Sequence, residues 1–456
     1  MTKPSKQLLN RKVQGFVFGV RRRFLCRPRY FAKPERMDGH ILVCGGAGSG
    51  KSSSIAIPSL HAWQFSAFVI DIKGELSAAT MDRARPRKIF NPMLQNSHGF
   101  DPYYLLHDSD NPSQQAQEIA AAIIPLPANF KDPFWVQAAQ HLLAGFMLHY
   151  HHEGYDFVET MTEILCKPVE LHVKYILRGS RSAAAKLHLN QFAALEGKVL
   201  AGIFAELSNH TMLFAADKHI MAALRSENPI IPQDLEDGVD VFLSIPEDKL
   251  EQWKPLLTLI TNQFLKHFER RPEQTAKPIL FLLDEFPRLG KIENIITALT
   301  TLRSKKITLA LVIQSLSQLD FLYGRDCRRV ILDNCAYKAI LGASDAETQD
   351  YFSRLVGTHE VIQKSISTSY LPSDTQEQGH TISEHIVEQR IIPPHEFATL
   401  QDIVLLTPWG YFRAKKVDFI EPYGSKKLDI SRKITIWRCK NRDPAHFRVS
   451  GANHSP

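Results

Sequence analysis

Cysteine is scarce: six in 456 residues, at Cys26, Cys44, Cys166, Cys327, Cys335 and Cys439. No C-x-x-C pair and no histidine at zinc spacing accompanies them, so they read as free thiols of a reducing compartment. Long apolar runs are missing as well. The run from Gly15 to Val20 stops at Arg21, Arg22 and Arg23. A signal-peptide core needs about 7–15 apolar residues and a membrane-spanning helix about 20. The sequence therefore predicts a soluble or at most peripheral chain. No fixed-period repeat is present, which argues against a solenoid. Nor does the bulk of the chain carry excess positive charge. Of the net +7, residues 1–40 contribute +9, leaving the remainder close to neutral. The main body is not a basic nucleic-acid sponge. The basic lead-in, 1–38, reads either as a solvated tail or as a dock for anionic lipid, a partner protein or nucleic acid.

With 44% hydrophobic and 23% charged residues the composition is globular, and the length suits two to three domains of about 150 residues each. Short apolar runs recur at 41–44, 67–72, 239–245, 279–283, 307–313, 336–341 and 403–406. They are continuous rather than alternating, as strands buried on both faces of a parallel sheet are, and helical patterns at 254–269 and 291–302 separate several of them. The fold class is α/β. Between 112 and 228 the texture turns helical, with patterns at 114–122, 135–150, 169–177, 182–195 and 212–223. This predicts an all-α domain, 112–228, inserted into an α/β domain made of 39–111 and 229–424. The polar segment 362–388 has no periodicity and is expected to be a flexible loop. A closing hairpin is expected around Pro408, Trp409 and Gly410, and 425–456 is a basic tail. His149, His151 and His152 cluster without metal spacing and are expected on a solvated face.

The sharpest motif is Gly45-Gly46-Ala47-Gly48-Ser49-Gly50-Lys51-Ser52, a complete P-loop between an apolar strand and a helix start. Its glycines let backbone N–H groups turn toward a phosphate, and the helix N-terminus adds favourable charge. Lys51 is placed to reach the β- and γ-phosphates of ATP, and the Ser52 hydroxyl to ligate Mg²⁺. Such a loop needs an acidic element at the end of a neighbouring strand, and Asp284-Glu285 after the run 279–283 supplies it. Asp284 is the expected Mg²⁺ residue and Glu285 the residue that orients the attacking water. Gln314, ending the run 307–313, is a candidate γ-phosphate sensor. Arg303, closing a helix, is either an arginine finger or a surface residue favourable with the helix dipole. Asp71, at another strand end, is expected at the same sheet edge.

Further segments follow in a fixed order: 39–43 leading into the P-loop, 56–60, Val69 to Glu75, Phe90 to Pro92, Asp132 to Trp135, Phe242 to Pro246, Leu283 to Gly290, Gln314 to Gln318, Tyr323-Gly324 and Glu396. This series, over about 39–420, resembles the type IV coupling proteins of the TraG/VirD group. The resemblance implies a RecA-like P-loop NTPase domain with an inserted all-α domain, working as a homohexamer with ATP and Mg²⁺ at subunit interfaces. It implies that Arg303 acts in trans and that Gln314 senses the γ-phosphate. The implied function is to recruit and drive DNA, as a relaxase–single-stranded DNA complex, or protein substrates into a type IV secretion channel. A cytosolic double-stranded DNA pump of the FtsK/HerA type and an ATP-gated docking adaptor are the alternatives. Typical members carry a transmembrane hairpin ahead of the motor. Only a basic stretch of forty residues stands there in this sequence, which suggests either a truncated chain or one that docks on a separate membrane partner. The expected location is the bacterial cytoplasm or the cytoplasmic face of the inner membrane. The intermediate Asp71-Ile72-Lys73 also departs from the family's commoner Asp-Pro-Lys.

Overall fold

The computed structural model describes residues 8–10, 13–21, 28–107, 109–126, 132–273, 277–370 and 377–417. The tail 425–456 lies outside the described residues, as do Cys26 and Cys439; the other four cysteines are free thiols. In chain order the strands are β1 (Leu9–Asn10), β2 (Phe16–Arg21), β3 (Arg29–Lys33), β4 (Ile41–Cys44), β5 (Ala67–Asp71), β6 (Arg87–Phe90) and β7 (Asp240–Ser244). They continue as β8 (Ile279–Leu283), β9 (Ile307–Ile313), β10 (Tyr337–Ile340), β11 (Thr358–Tyr370), β12 (Glu377–Arg390), β13 (Ile403–Thr407) and β14 (Gly410–Ala414). The main sheet runs β14-β13-β10-β4-β9-β8-β5-β7-β6. From β10 to β6 every pairing is parallel, and the β13–β14 hairpin closes one side antiparallel.

Every residue of β4, β5, β7, β8 and β9 is buried, which is why these runs read as unbroken apolar stretches. Alternate side chains supply two cores. Leu42, Phe68, Phe281 and Leu309 share one with the helix Leu250–Phe268 and the inserted helices. Val43, Val69, Leu282 and Val312 share the other with Ile55, Leu60 and Trp63.

The described residues of the lead-in are not a solvated tail. They form a sheet of order β1-β3-β2, with Phe16 and Phe18 fully buried and Phe31 2% exposed. Phe18 stacks on Tyr337 and Phe31 on Phe412, each with centroids 5.8 Å apart. Burial of each aromatic stabilises the fold by roughly 1.5–3 kcal/mol, enough to outweigh the basic composition that suggested a tail. The described parts of the segment 362–388, residues 362–370 and 377–388, are not irregular either: β11 and β12 pair in register from Thr358–Arg390 to Ser369–Gly379. On such a two-stranded ribbon polar and apolar side chains alike are exposed, Ile362 and Ile386 among them, so the strand period carries no apolar signal.

The inserted helices are Pro112–Ile123, Phe134–His152, Phe157–Cys166, Val169–Gly179, Ala183–Leu189, Gly197–Ala216 and Lys218–Ala223. The expected helix 212–223 is two helices, because Asp217 adopts an extended backbone and its carboxylate accepts from the His219 and Ile220 N–H groups. His149 is buried, 2.9 Å from the Ser180 hydroxyl, and His151 lies 3.1 Å from His107. Helix packing thus overrides the expected solvated histidine face, leaving only His152 of the three exposed. Gly197–Ala216 is long and apolar enough to cross a membrane by length and composition. Its Leu200, Ile203, Leu207 and Phe214 are buried.

Candidate functional site

β4 delivers the P-loop to the carboxyl edge of the sheet. Gly45 stays on the ladder through its N–H to Ile313 O, 3.2 Å. A Cβ at Gly45 would come within 2.4 Å of the Ser49 hydroxyl oxygen and 3.1 Å of Leu341, so a larger residue there would force the Ser49 side chain to move. Gly48 turns the chain at φ +72°, the left-handed region that glycine enters without strain. A Cβ at Gly46 or Gly48 would meet nothing within 4 Å. The loop is therefore open on the side a ligand would approach. Beyond it, Ser52–Ala56 winds as a π-turn before the helix Ile57–Ala62. Pro58 lacks the N–H that a regular helix would use at that point.

Lys51 folds over the loop, its Nζ donating to Gly45 O at 2.6 Å and to Gly46 O at 2.9 Å. Burial lowers its pKa, and the Asp284 and Glu285 carboxylates pull the other way. Asp284 is pushed up to about 6, first by burial and then by the charges of Glu285 and Asp71. The structure thus brings Lys51, Asp284, Glu285 and Asp71 into one electrostatic neighbourhood. Asp71 reaches it from β5, beside β8, with its Oδ2 accepting from Ser77 N at 2.7 Å. Gln314 follows β9 directly next to the P-loop strand, and its carbonyl lies 3.7 Å from Cys44 Sγ.

One expectation, on the acidic pair, needs correction. The acidic pair does not end a strand adjacent to β4, because β9 lies between β4 and β8. Sequence order carries no information about that insertion. Arg303 is not brought to the P-loop in this chain. It is exposed and belongs to the turn entering β9 at its opposite end, with its carbonyl accepting from Lys306 N at 3.3 Å. Its charge acts on buried His40, which precedes β4. The length of β9, roughly 20 Å, separates it from this chain's P-loop.

One residue at the site was missed from sequence. Arg288 Nη1 donates to Glu285 Oε2 at 2.6 Å and to Glu247 Oε1 at 2.7 Å. The spacing of Glu285 and Arg288 hints at a local pair. Glu247 enters only because the ends of β7 and β8 converge across β5.

The residues fit a phosphate chain with a divalent cation. The Ser49 hydroxyl is buried without a partner, the loop is open at Gly46 and Gly48, and carboxylates crowd around Asp284. Among the described residues no cluster of three or more His, Cys, Asp or Glu can hold a metal alone. Ser52 and Asp284 would be the oxygen donors for such a hard cation, with phosphate and water completing its shell.

The chain matches the family model described as type IV secretory system conjugative DNA transfer over residues 5–417. It is 25% identical over 437 residues to the protein VirD4 of Agrobacterium fabrum, covering 91% of this chain and 64% of that one. It is 26% identical over 379 residues to the conjugal transfer protein TraG of Rhizobium radiobacter, covering 78% and 58% respectively. This chain therefore spans less than two thirds of the length of either relative. Among solved structures, the bacterial conjugative coupling protein TrwBdeltaN70 in complex with sulphate matches with a TM-score of 0.70 at 20% identity, covering 91% of each chain. The plasmid coupling protein TrwB in complex with the non-hydrolysable ATP analogue ADPNP matches with a TM-score of 0.69 at 19% identity, again covering 91% of each. The fold is a RecA-like α/β domain with an inserted all-α domain, and the chain belongs to the type IV secretory system conjugative DNA transfer family.

Proposed function

We propose that this chain is an ATP-hydrolysing coupling protein that recruits DNA, as a relaxase–single-stranded DNA complex, or protein and drives it into a type IV secretion channel. The observation that carries the reading is the convergence of the P-loop, Asp284, Glu285 and Gln314 at one sheet edge. The loop from Gly45 to Ser52 cradles the phosphates, and Lys51 exchanges its two carbonyl partners for phosphate oxygens. Mg²⁺, held by Ser52 and Asp284, supplies charge neutralisation at those oxygens when bound. Glu285 orients the attacking water, and Gln314 reads the γ-phosphate position. Arg303, too far away to serve its own site, serves a neighbouring subunit of a homohexamer. The domain limits follow the change in texture: 39–111 with 229–424 as motor and 112–228 as the inserted domain. The working location is the cytoplasm or the cytoplasmic face of the inner membrane, beside channel components and a membrane partner.

The test is steady-state ATP turnover with and without single-stranded DNA, with Lys51→Ala as the control. Stimulation by single strands, lost with Lys51→Ala, is the expected result. Turnover that responds only to duplex DNA favours a double-stranded DNA pump. Turnover indifferent to any DNA, with a protein substrate still bound, favours a docking adaptor.

A further inference from the structure

Glu285 is held at three points, two of them through Arg288. The Arg288 N–H donates to Glu285 O at 2.8 Å, and its Nη1 donates to Glu285 Oε2 at 2.6 Å. The third is the Glu285 N–H, which donates to Asp284 Oδ1 at 3.1 Å. The backbone so clamped lies at φ 47°, ψ 42°, a left-handed conformation that a glutamate occupies only under strain. The same Arg288 Nη1 donates to Glu247 Oε1 at 2.7 Å. Glu247 follows β7 on the rim of a groove of about 480 Å³ whose lining includes Lys73, Gly74, Asn91 and Ser244.

A carboxylate paired to a guanidinium has one oxygen occupied and its charge compensated, which makes it a poor acceptor for the proton of an attacking water. We infer that Arg288 is a positioning residue that parks Glu285, and that hydrolysis requires Arg288 to give up Glu285 and keep Glu247. The inference rests on the hydrolytic reading proposed above. The geometry favours the exchange. One guanidinium nitrogen already serves both carboxylates. The Arg288 and Glu247 side chains are 30% and 55% exposed, so the swap strands no charge in a dry interior. Release of the side-chain pair also removes one of the restraints that hold residue 285 at positive φ. The groove beside Glu247 gives solvent-borne groups a route to the far partner of the switch.

The experiment compares steady-state ATP turnover of the full chain, under saturating Mg²⁺ and ATP, in wild type, Lys51→Ala, Arg288→Ala, Arg288→Gln, Arg288→Lys and the Arg288→Ala/Glu285→Gln double variant. Loss of a partly exposed pair of this kind should raise kcat roughly two- to fivefold in Arg288→Ala. KM for ATP should stay within about twofold, since the pair does not touch the phosphate cradle. Arg288→Gln keeps the side-chain stem and should rise with it, while Arg288→Lys, which retains a cation, should fall between alanine and wild type. The double variant should be idle. Turnover at or below wild type in both neutral variants overturns the inference, and so does a gain that survives Glu285→Gln. If wild type and Lys51→Ala are equally idle, the hydrolytic reading falls first and takes the inference with it.

Discussion

Lys33 ends β3 with no exposed surface, and its Nζ donates to the Thr308 hydroxyl of β9 at 2.9 Å. Burial pushes its pKa down to about 7, against the pull of the Asp38 and Glu35 carboxylates and with a smaller push from Lys306. In the unfolded chain a lysine keeps its proton to about pH 10.4. Across the window from about 7 to 10.4 the unfolded state therefore binds more protons, and stability rises with pH. The slope approaches 1.36 kcal/mol per pH unit, so the step from pH 7 to pH 9 is worth about 2–3 kcal/mol. Lys33→Met keeps the stem and removes the titrating group. It should be more stable than wild type at pH 7, by a margin that shrinks by that amount at pH 9. Because Thr308 is left buried without its partner, at a cost of about 1–3 kcal/mol, Lys33→Met/Thr308→Val is the cleaner background. Denaturant unfolding of the paired variants at the two pH values reads the margin directly, and all groups common to both chains cancel. A margin equal at pH 7 and pH 9 refutes the reasoning, as does a double variant less stable than wild type at pH 7.

Glu285→Gln should bind a fluorescent ATP analogue within a few-fold of wild type while turnover falls roughly 100-fold or more; brisk residual turnover removes Glu285 from its role. Arg303→Ala subunits and Lys51→Ala subunits should each be inactive alone and regain activity when mixed, because an intact site can then form from one subunit of each kind. No recovery on mixing leaves Arg303 as a surface residue of the turn before β9.

The P-loop was legible because its chemistry is local: eight consecutive residues hold the glycines, the lysine and the serine. The strands β4, β5, β7, β8 and β9 were legible because burial on both faces leaves continuous apolar runs. Their lateral order was not, since nothing in β9 records that it wedges between β4 and β8. The β11–β12 ribbon escaped because its exposed Ile362 and Ile386, paired across the strands, are scattered among polar residues. In the lead-in, eleven basic residues masked the phenylalanines at 16, 18 and 31. His149 read as solvated because its buried partner, Ser180, follows a later helix and is thirty-one positions away in sequence. Arg288 was invisible as a switch because its second partner, Glu247, is forty-one positions away in sequence.

The placement of β9 has a mechanical consequence. It is bonded along both sides, to β4 and to β8, and a strand gripped on two flanks behaves as a stiff spar rather than a hinge. At its far end it carries Gln314, beside this subunit's own phosphate loop; at its near end it is anchored to the turn that holds Arg303. With the roles proposed for those residues, reading one's own nucleotide and reaching for the neighbour's become two ends of a single rigid member.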